Sequence, residues 1–315
     1  MDISLIVCTY NRCQSLGETL ERIAVQVVPD DVAWEVVVID NNSTDSTREV
    51  VEEFSKRFPS RFRCVFEKQQ GLSFARNAGI RESRSDVVAF TDDDVTFETN
   101  WLWNLTSNLL SGEWAGAGGR ITPAWAKPLP KWMSVDDPHT MGPFALFDEG
   151  ERAGQLNRPP YGGNMAFHRK TFEKFGVFRT DLGRSLDSLH GGEDTEFGGR
   201  LLAGGARLRY EPKAEVFHPA SESRMSKKFV LYWWFWFGYG EVVQLGRPSG
   251  ARWELKGVPL NLFPRILRWT LQWFVTLDPA RRFACRRSVW YIAGTIFACY
   301  RLPRIREGRM ASDTK

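Results

Sequence analysis

The acidic residues with the most chemical potential lie in two tight groups. Asp92, Asp93 and Asp94 are adjacent, and Glu193 and Asp194 form a second pair. The triplet follows Val87-Val88-Ala89-Phe90 and Thr91. A short apolar run without polar alternation predicts a strand buried on both faces. Neighbouring anions at about 5 Å repel by about 3 kcal/mol at an effective dielectric of ~20. A divalent cation would relieve that repulsion, because hard ions take oxygen ligands and leave room for phosphates and water. A polar turn closing the strand is the other reading, since Asp favours turns. The triplet alone leaves both open. The second pair follows Gly191-Gly192 and precedes Phe197, Leu201 and Leu202, which share one helical face. This puts Glu193 and Asp194 at a helix N-terminus, where negative charge is favoured and capping is one sufficient account.

The elements that must hold these acids follow a regular alternation. Ser4–Cys8 predicts a first strand, ending at Thr9-Tyr10-Asn11-Arg12. Gln14–Val27 has helical spacing, with Leu16, Leu20, Ile23 and Val27 on one face. Trp34–Ile39 predicts a second strand, closed by Asp40-Asn41-Asn42-Ser43-Thr44-Asp45, in which Ser43 or Thr44 can cap the next helix. Phe62–Phe66 is a third strand, Gly71–Ser83 a helix, Asp86–Phe90 the fourth strand and Trp101–Leu110 a further helix. Strands and helices alternating in this way form βαβ units, with a mostly parallel sheet and helices on both faces. Ligands bind such sheets beyond the carboxyl ends of the strands, where Thr9–Arg12, Asp40–Asp45 and Asp92–Asp94 gather. CTYNRC carries neither a GxGxxG fingerprint nor a Walker loop, which argues against dinucleotide hydride transfer.

From Ala115 to Pro160 the pattern loosens, and long loops of this kind are often binding loops. Tyr161–Phe167 predicts a strand whose Gly162-Gly163 pair lets another group approach the backbone. Leu182–Leu189 is polar and is expected to be mobile.

Charge divides the chain. Residues 247–315 hold 14 Lys/Arg against 4 Asp/Glu, whereas the rest is net acidic. Two different environments for the two ends are expected. The five cysteines have no metal-like spacing and no even pairing, and they are read as reduced thiols of a cytosolic protein. MDISLIVCTY has no basic leader region and is read as a strand.

Six stretches together resemble the family 2 glycosyltransferases. They are SLIVCTYNR, VVVIDNNSTDST, GLSFARNAGI, VVAFTDDDV, GGNMAFHR and GGEDTEFGGRL, in the family's order and covering most of residues 1–220. The resemblance implies an α/β GT-A fold, a nucleotide-diphosphate sugar donor (UDP-sugar favoured), and Mn2+ or Mg2+. Carried over to this sequence, it implies donor-binding roles for Thr9, Tyr10, Arg12, Asp40, Arg76, Asp92 and Asp93. Asp94 is implied as metal ligand, with His218 a second candidate. Asp194 is implied as catalytic base, while Gly163, Asn164 and Glu193 would meet the acceptor. The implied reaction is one inverting displacement onto an acceptor hydroxyl of a surface polysaccharide, glycolipid or glycoconjugate. Arg268-Trp269 lacks the Gln of the processive QxxRW motif, so one sugar is transferred per encounter. A catalytically silent scaffold is the alternative, and a nucleotidyltransferase would want a Gly-rich basic loop after the first strand.

The expected organisation is a catalytic domain over 1–220, with a nucleotide-sugar half (1–115) and an acceptor half (116–220). A basic, aromatic helical extension follows over 221–315. Phe229–Gly240 and Ser288–Tyr300 are uncharged but shorter than the ~20 residues a bilayer requires. Together with Leu262–Leu277 they suggest peripheral contact with the cytosolic face of a membrane. Covering the catalytic domain or forming a dimer contact is the other account. The aromatics cluster in apolar runs instead of alternating with Arg, which argues against nucleic acid.

Overall fold

The computed structural model describes residues 1–135, 137–185, 189–248 and 253–302. Of the segment expected to be mobile, Leu186–Ser188 lies outside the described residues. The chain divides into two compact units. One comprises Met1–Pro130 with Ser134–Ser226, and the other comprises Lys131–Met133 with the residues from Lys227 onward.

The first unit opens with β1 (Ile3–Thr9), α1 (Cys13–Ala24), β2 (Trp34–Asp40), α2 (Thr47–Arg57), β3 (Phe62–Phe66), α3 (Leu72–Glu82) and β4 (Val87–Thr91). It continues with β5 (Thr96–Phe97), α4 (Trp101–Thr106), β6 (Gly116–Trp125), α5 (Pro138–Met141), β7 (Gly154–Leu156) and β8 (Asn164–His168). Then come α6 (Arg169–Phe175), α7 (Glu193–Ala203) and β9 (Leu208–Ala220). The nine strands form one sheet in the order β3-β2-β1-β4-β8-β6-β9-β5, with β7 added on β9. The four strands from β3 to β4 are parallel. Beyond them the sheet is mixed: β8 runs antiparallel to β4 and β6, while β6 and β9 are parallel.

The apolar runs are uninterrupted because both faces of the sheet are covered. Leu5 and Val7 of β1 face a core completed by Leu16, Leu20, Val51, Phe54 and Trp101. Ile6, between them, faces the opposite core of Ala75, Ala78, Phe90, Phe172 and Phe197. Successive residues of a strand alternate in this way, so helices α1, α2 and α4 cover one face and α3, α6 and α7 the other. In register, Thr9 lies opposite Asp40 and Val7 opposite Thr91, so three strand ends share one edge.

The second unit pairs α8 (Lys227–Leu245) with α10 (Pro279–Arg301), and α9 (Leu262–Val275) packs on α10. A short hairpin of β10 (Glu254–Leu255) and β11 (Val258–Pro259) stands before α9. Gly238 and Gly294 let the two long helices touch through backbone. A Cβ on Gly294 would lie 1.9 Å from Phe235 O, and one on Gly238 2.2 Å from Tyr291 O. Among the described residues no helix is long and apolar enough to cross a membrane.

Candidate active site

The strand ends hold a cleft of about 230 Å³. Thr9, Tyr10 and Arg12 line it from the end of β1, Asp92, Asp93 and Asp94 from the end of β4, and His218 from β9. The turn after β1 is fixed to the loop after β2. Asn11, at φ 50°, accepts from Thr44 N at 2.7 Å and donates its own N–H to Ser43 Oγ at 3.0 Å. Asp45, just before the cap position of the helix after that loop, accepts from Thr47 N at 3.1 Å and also from Cys13 N. Ser43, Thr44 and Asp45 are all caps that the sequence offers. Ser43 Oγ is instead spent on Asn11, and Thr44 sits against the same residue.

The three aspartates separate by alternation. Asp93 turns inward, is 5% exposed, and accepts from Arg12 Nη1 at 3.0 Å. Burial pushes its carboxyl up to about 6, with Arg12 pulling the other way. Asp92 and Asp94, two residues apart, point together at His218. Its Nε2 is 3.7 Å from Asp92 Oδ2 and 3.8 Å from Asp94 Oδ1. The ligand atoms of this trio lie within 4.8 Å of one another. Asp94 Oδ1 is buried without a hydrogen-bond partner. Burial lowers the pKa of His218, which favours the neutral imidazole that can ligate a metal. Two carboxylate oxygens, one of them orphaned, and an imidazole lone pair fit a divalent cation. Asp92, expected near the ribose, thus stands with Asp94 and His218 in the group that could hold a metal ion, and Asp93 stands apart from it.

The second acidic pair is split by role. Glu193 is 3% exposed and makes a buried ion pair with Arg76, whose guanidinium lies 5.7 Å from the centre of the Phe178 ring. Burial raises the pKa of Glu193 while Arg76 pulls it down. Asp194 is half-buried and accepts from Gly162 N and Thr195 N, both at 2.7 Å. Its carboxylate is therefore aimed by the turn before β8.

That turn explains the glycine pair. A Cβ on Gly162 would lie 2.0 Å from Arg76 Nη2, and one on Gly163 2.7 Å from Asp92 Oδ2. The groups that approach this backbone are Arg76 and Asp92. Gly162→Ala is expected to cost about 1–3 kcal/mol of stability, because the buried guanidinium has little room to retreat. Chemical denaturation would show this as a lower midpoint at unchanged slope.

Several sequence-derived residues sit behind the cleft. Asn164 is fully buried. Its Nδ2 donates to Arg120 O and Ala214 O, and its Oδ1 accepts from Trp101 Nε1. The side chain ties β8 to its neighbours. Arg76 and Glu193 are likewise enclosed and do not line the cleft. Asp40 is 4% exposed and accepts from Ser43 N at 2.9 Å.

The cleft also contains residues that sequence reasoning missed. Asn41 clamps the loop before α3 by donating to Gln69 O and accepting from Gly71 N. Arg184 and Arg224 add guanidinium groups to that of Arg12 along the wall. Burial, and then the like charge of Arg184, lower the pKa of Arg224. Cys8 also lines the cleft, but burial pushes its thiol up to about 12, so it is a neutral wall and no nucleophile.

Residues 4–176 match the model of glycosyl transferase family 2. The chain belongs to glycosyl transferase family 2. Succinoglycan biosynthesis protein ExoM of Rhizobium meliloti is 31% identical over 72% of this chain and 69% of its own. Glucosyl-dolichyl phosphate glucuronosyltransferase of Haloferax volcanii is 30% identical over 77% of each. In fold the chain is similar to the mannosyltransferase PcManGT of Pyrobaculum calidifontis, solved with GDP-Man and Mn2+. The TM-score is 0.62 at 18% identity, covering 94% of this chain and 86% of that one. GalNAc-T7, solved with UDP, GalNAc and Mn2+, gives a TM-score of 0.56 at 16% identity, over 79% of this chain and 52% of its own. The family 2 chain has the GT-A fold and is a glycosyltransferase.

Proposed function

We propose that this glycosyltransferase moves one sugar from a nucleotide-diphosphate donor, with UDP-sugar favoured, to an acceptor hydroxyl with inversion at the anomeric carbon. The observation that carries the reading is the convergence of Asp92, Asp94 and His218 on one point in an arginine-lined cleft. These three residues would hold Mn2+ or Mg2+, which when bound neutralises charge on the departing diphosphate. Arg12, Arg184 and Arg224 supply further positive charge along the same wall. Thr9 and Tyr10, at the end of β1, with Asp40 behind them, shape the side on which the nucleoside is read.

Asp194 takes the acceptor proton. Its two backbone N–H bonds hold the carboxylate in place and leave lone pairs for the hydroxyl. Arg76 fixes Glu193 beside it, so the start of α7 is rigid at the atom that must receive a proton. Gly163 contributes backbone next to Asp92, where the acceptor side of the cleft begins.

The acceptor is a glycan or lipid-linked molecule of polysaccharide or glycolipid synthesis, in keeping with the names of the two relatives. The protein works in the cytoplasm, peripheral on the cytosolic face of a membrane. The test is release of nucleoside diphosphate from a panel of UDP-, GDP- and dTDP-sugars with Mn2+. One donor is expected to be turned over, with chelation abolishing it and NMR of the product giving the inverted anomer. If every donor stays intact under all metals, the reading fails.

A further inference from the structure

The second unit presents an apolar face that its own packing leaves uncovered. The aromatic run of α8 is largely used up within the unit. Phe235 lies 5.7 Å from Phe297 and Trp234 6.2 Å from Tyr291, ring centre to ring centre. On α9 the division is different. Leu262 is buried, and Ile266 and Trp269 pack on the cluster formed by Val242, Val258 and Ile292. The other side of α9 exposes Phe263 (43%), Leu267 (60%), Leu271 (58%) and Phe274 (66%). At about 100° per residue these four fall within an arc of about 80°. Val275 and Leu277 extend the apolar surface at 76% and 92% exposure.

The surroundings of this stripe are basic. Exposed Arg268 flanks it, exposed Arg265 lies toward the far side of the helix, and α9 contains no Asp or Glu. At its carboxyl end the stripe meets an open recess of about 300 Å³ between α9 and the start of α10. Lys227, Trp273, Leu277, Arg282, Phe283 and Arg286 line the recess. Arg286 lies 5.3 Å from the Trp273 ring centre, so an aromatic wall carries the cation toward the opening.

We propose that this face of α9 and the α9–α10 recess dock on the surface of an anionic lipid bilayer. The stripe enters the acyl boundary and the recess takes a lipid phosphate. Apolar depth next to Lys227, Arg268, Arg282 and Arg286, with the neighbouring Asp278 accepting from Arg281 N at the start of α10, matches the layering of a bilayer surface, where apolar chains lie under anionic headgroups. A protein groove would not require that layering. The inference sharpens the membrane placement proposed above. It does not depend on the donor chemistry, since every residue in it belongs to the second unit.

The test is flotation of the full chain with phosphatidylcholine vesicles, with and without phosphatidylglycerol. The protein is expected to float with the anionic vesicles and to be partly released by high salt. Leu267→Asp with Leu271→Asp should reduce binding to them at least about tenfold, and Arg282→Glu with Arg286→Glu should remove the preference for anionic over neutral vesicles. All four side chains lie at the surface or the recess, so unchanged melting would confirm that both variants fold. No flotation of the folded wild type, or flotation untouched by either double substitution, overturns the proposal. A concentration-dependent dimer in sedimentation that Leu267→Asp with Leu271→Asp abolishes, without lipid binding, assigns the stripe to a second copy and also overturns it. Release of nucleoside diphosphate by the same variants separates this outcome from failure of the donor reading.

Discussion

Replacing Asp94 with Asn is expected to abolish metal-dependent donor binding and to lower turnover at least about 100-fold. Even groups one shell removed from a metal typically cost 10–100-fold in affinity or activity. The substitution removes one of two anionic ligands and leaves His218 and Asp92 to hold the cation alone. It also removes the Asp94 carboxylate from Arg12 Nη1, at 2.6 Å, while Asp93 continues to hold that arginine. The fold should therefore survive. Titration of Mn2+ in the presence of nucleoside diphosphate, followed by calorimetry, would measure the loss. Undiminished metal affinity in the variant would remove Asp94 from the metal-binding set.

Asp194→Asn separates chemistry from binding. General base catalysis contributes about 10²–10⁴-fold, and the amide cannot accept the acceptor proton. Turnover should fall by that range while donor and metal bind as in the parent protein, because Asp194 lies outside the trio of Asp92, Asp94 and His218. The amide oxygen can retain only one of the two backbone N–H bonds, so a small loss of stability at the start of α7 accompanies the kinetic effect. Steady-state kinetics with saturating donor would show the fall in kcat. Turnover within a few-fold of the parent would mean that another group removes the proton.

The first half of the sheet was legible because β1, β2 and β4 are buried on both faces and successive strands are joined by a helix of ordinary length. Apolar runs such as Val36–Ile39 and Val87–Phe90 have no other economical reading. The polar strand ends then located the cleft without knowledge of its shape. The mixed half was less legible, because β6 pairs with β9 far along the chain and β8 runs between β6 and β4. Local sequence carries little information about such pairings.

Roles that depend on the third dimension were lost in the same way. Asn164 follows the glycine pair and looks available, yet its amide is consumed by carbonyls of two distant segments. The glycine pair signalled a close approach but not the identities of Arg76 and Asp92. Arg184 and Arg224 lie in polar stretches with no periodicity, and only the fold brings them beside Arg12. A signal existed for Arg224: it is a cation shortly after His218, just past the end of the last long strand. In the C-terminal third, composition picked out three helices but could not tell which apolar faces are spent inside. Gly238 and Gly294 decide that by letting α8 and α10 close on each other.

A cation held by Asp92, Asp94 and His218 should bring a nucleoside diphosphate into the cleft. Thermal melting with UDP, GDP, dTDP or ADP, each with and without Mn2+, tests it most directly. A ligand at one hundred times its Kd stabilises by about 2.7 kcal/mol. For a chain of 315 residues that corresponds to a rise of roughly 4 °C in Tm. One diphosphate is expected to give such a rise only with metal, and Asp94→Asn to erase it. No shift with any nucleotide under any metal, or an equal shift without metal, would contradict it.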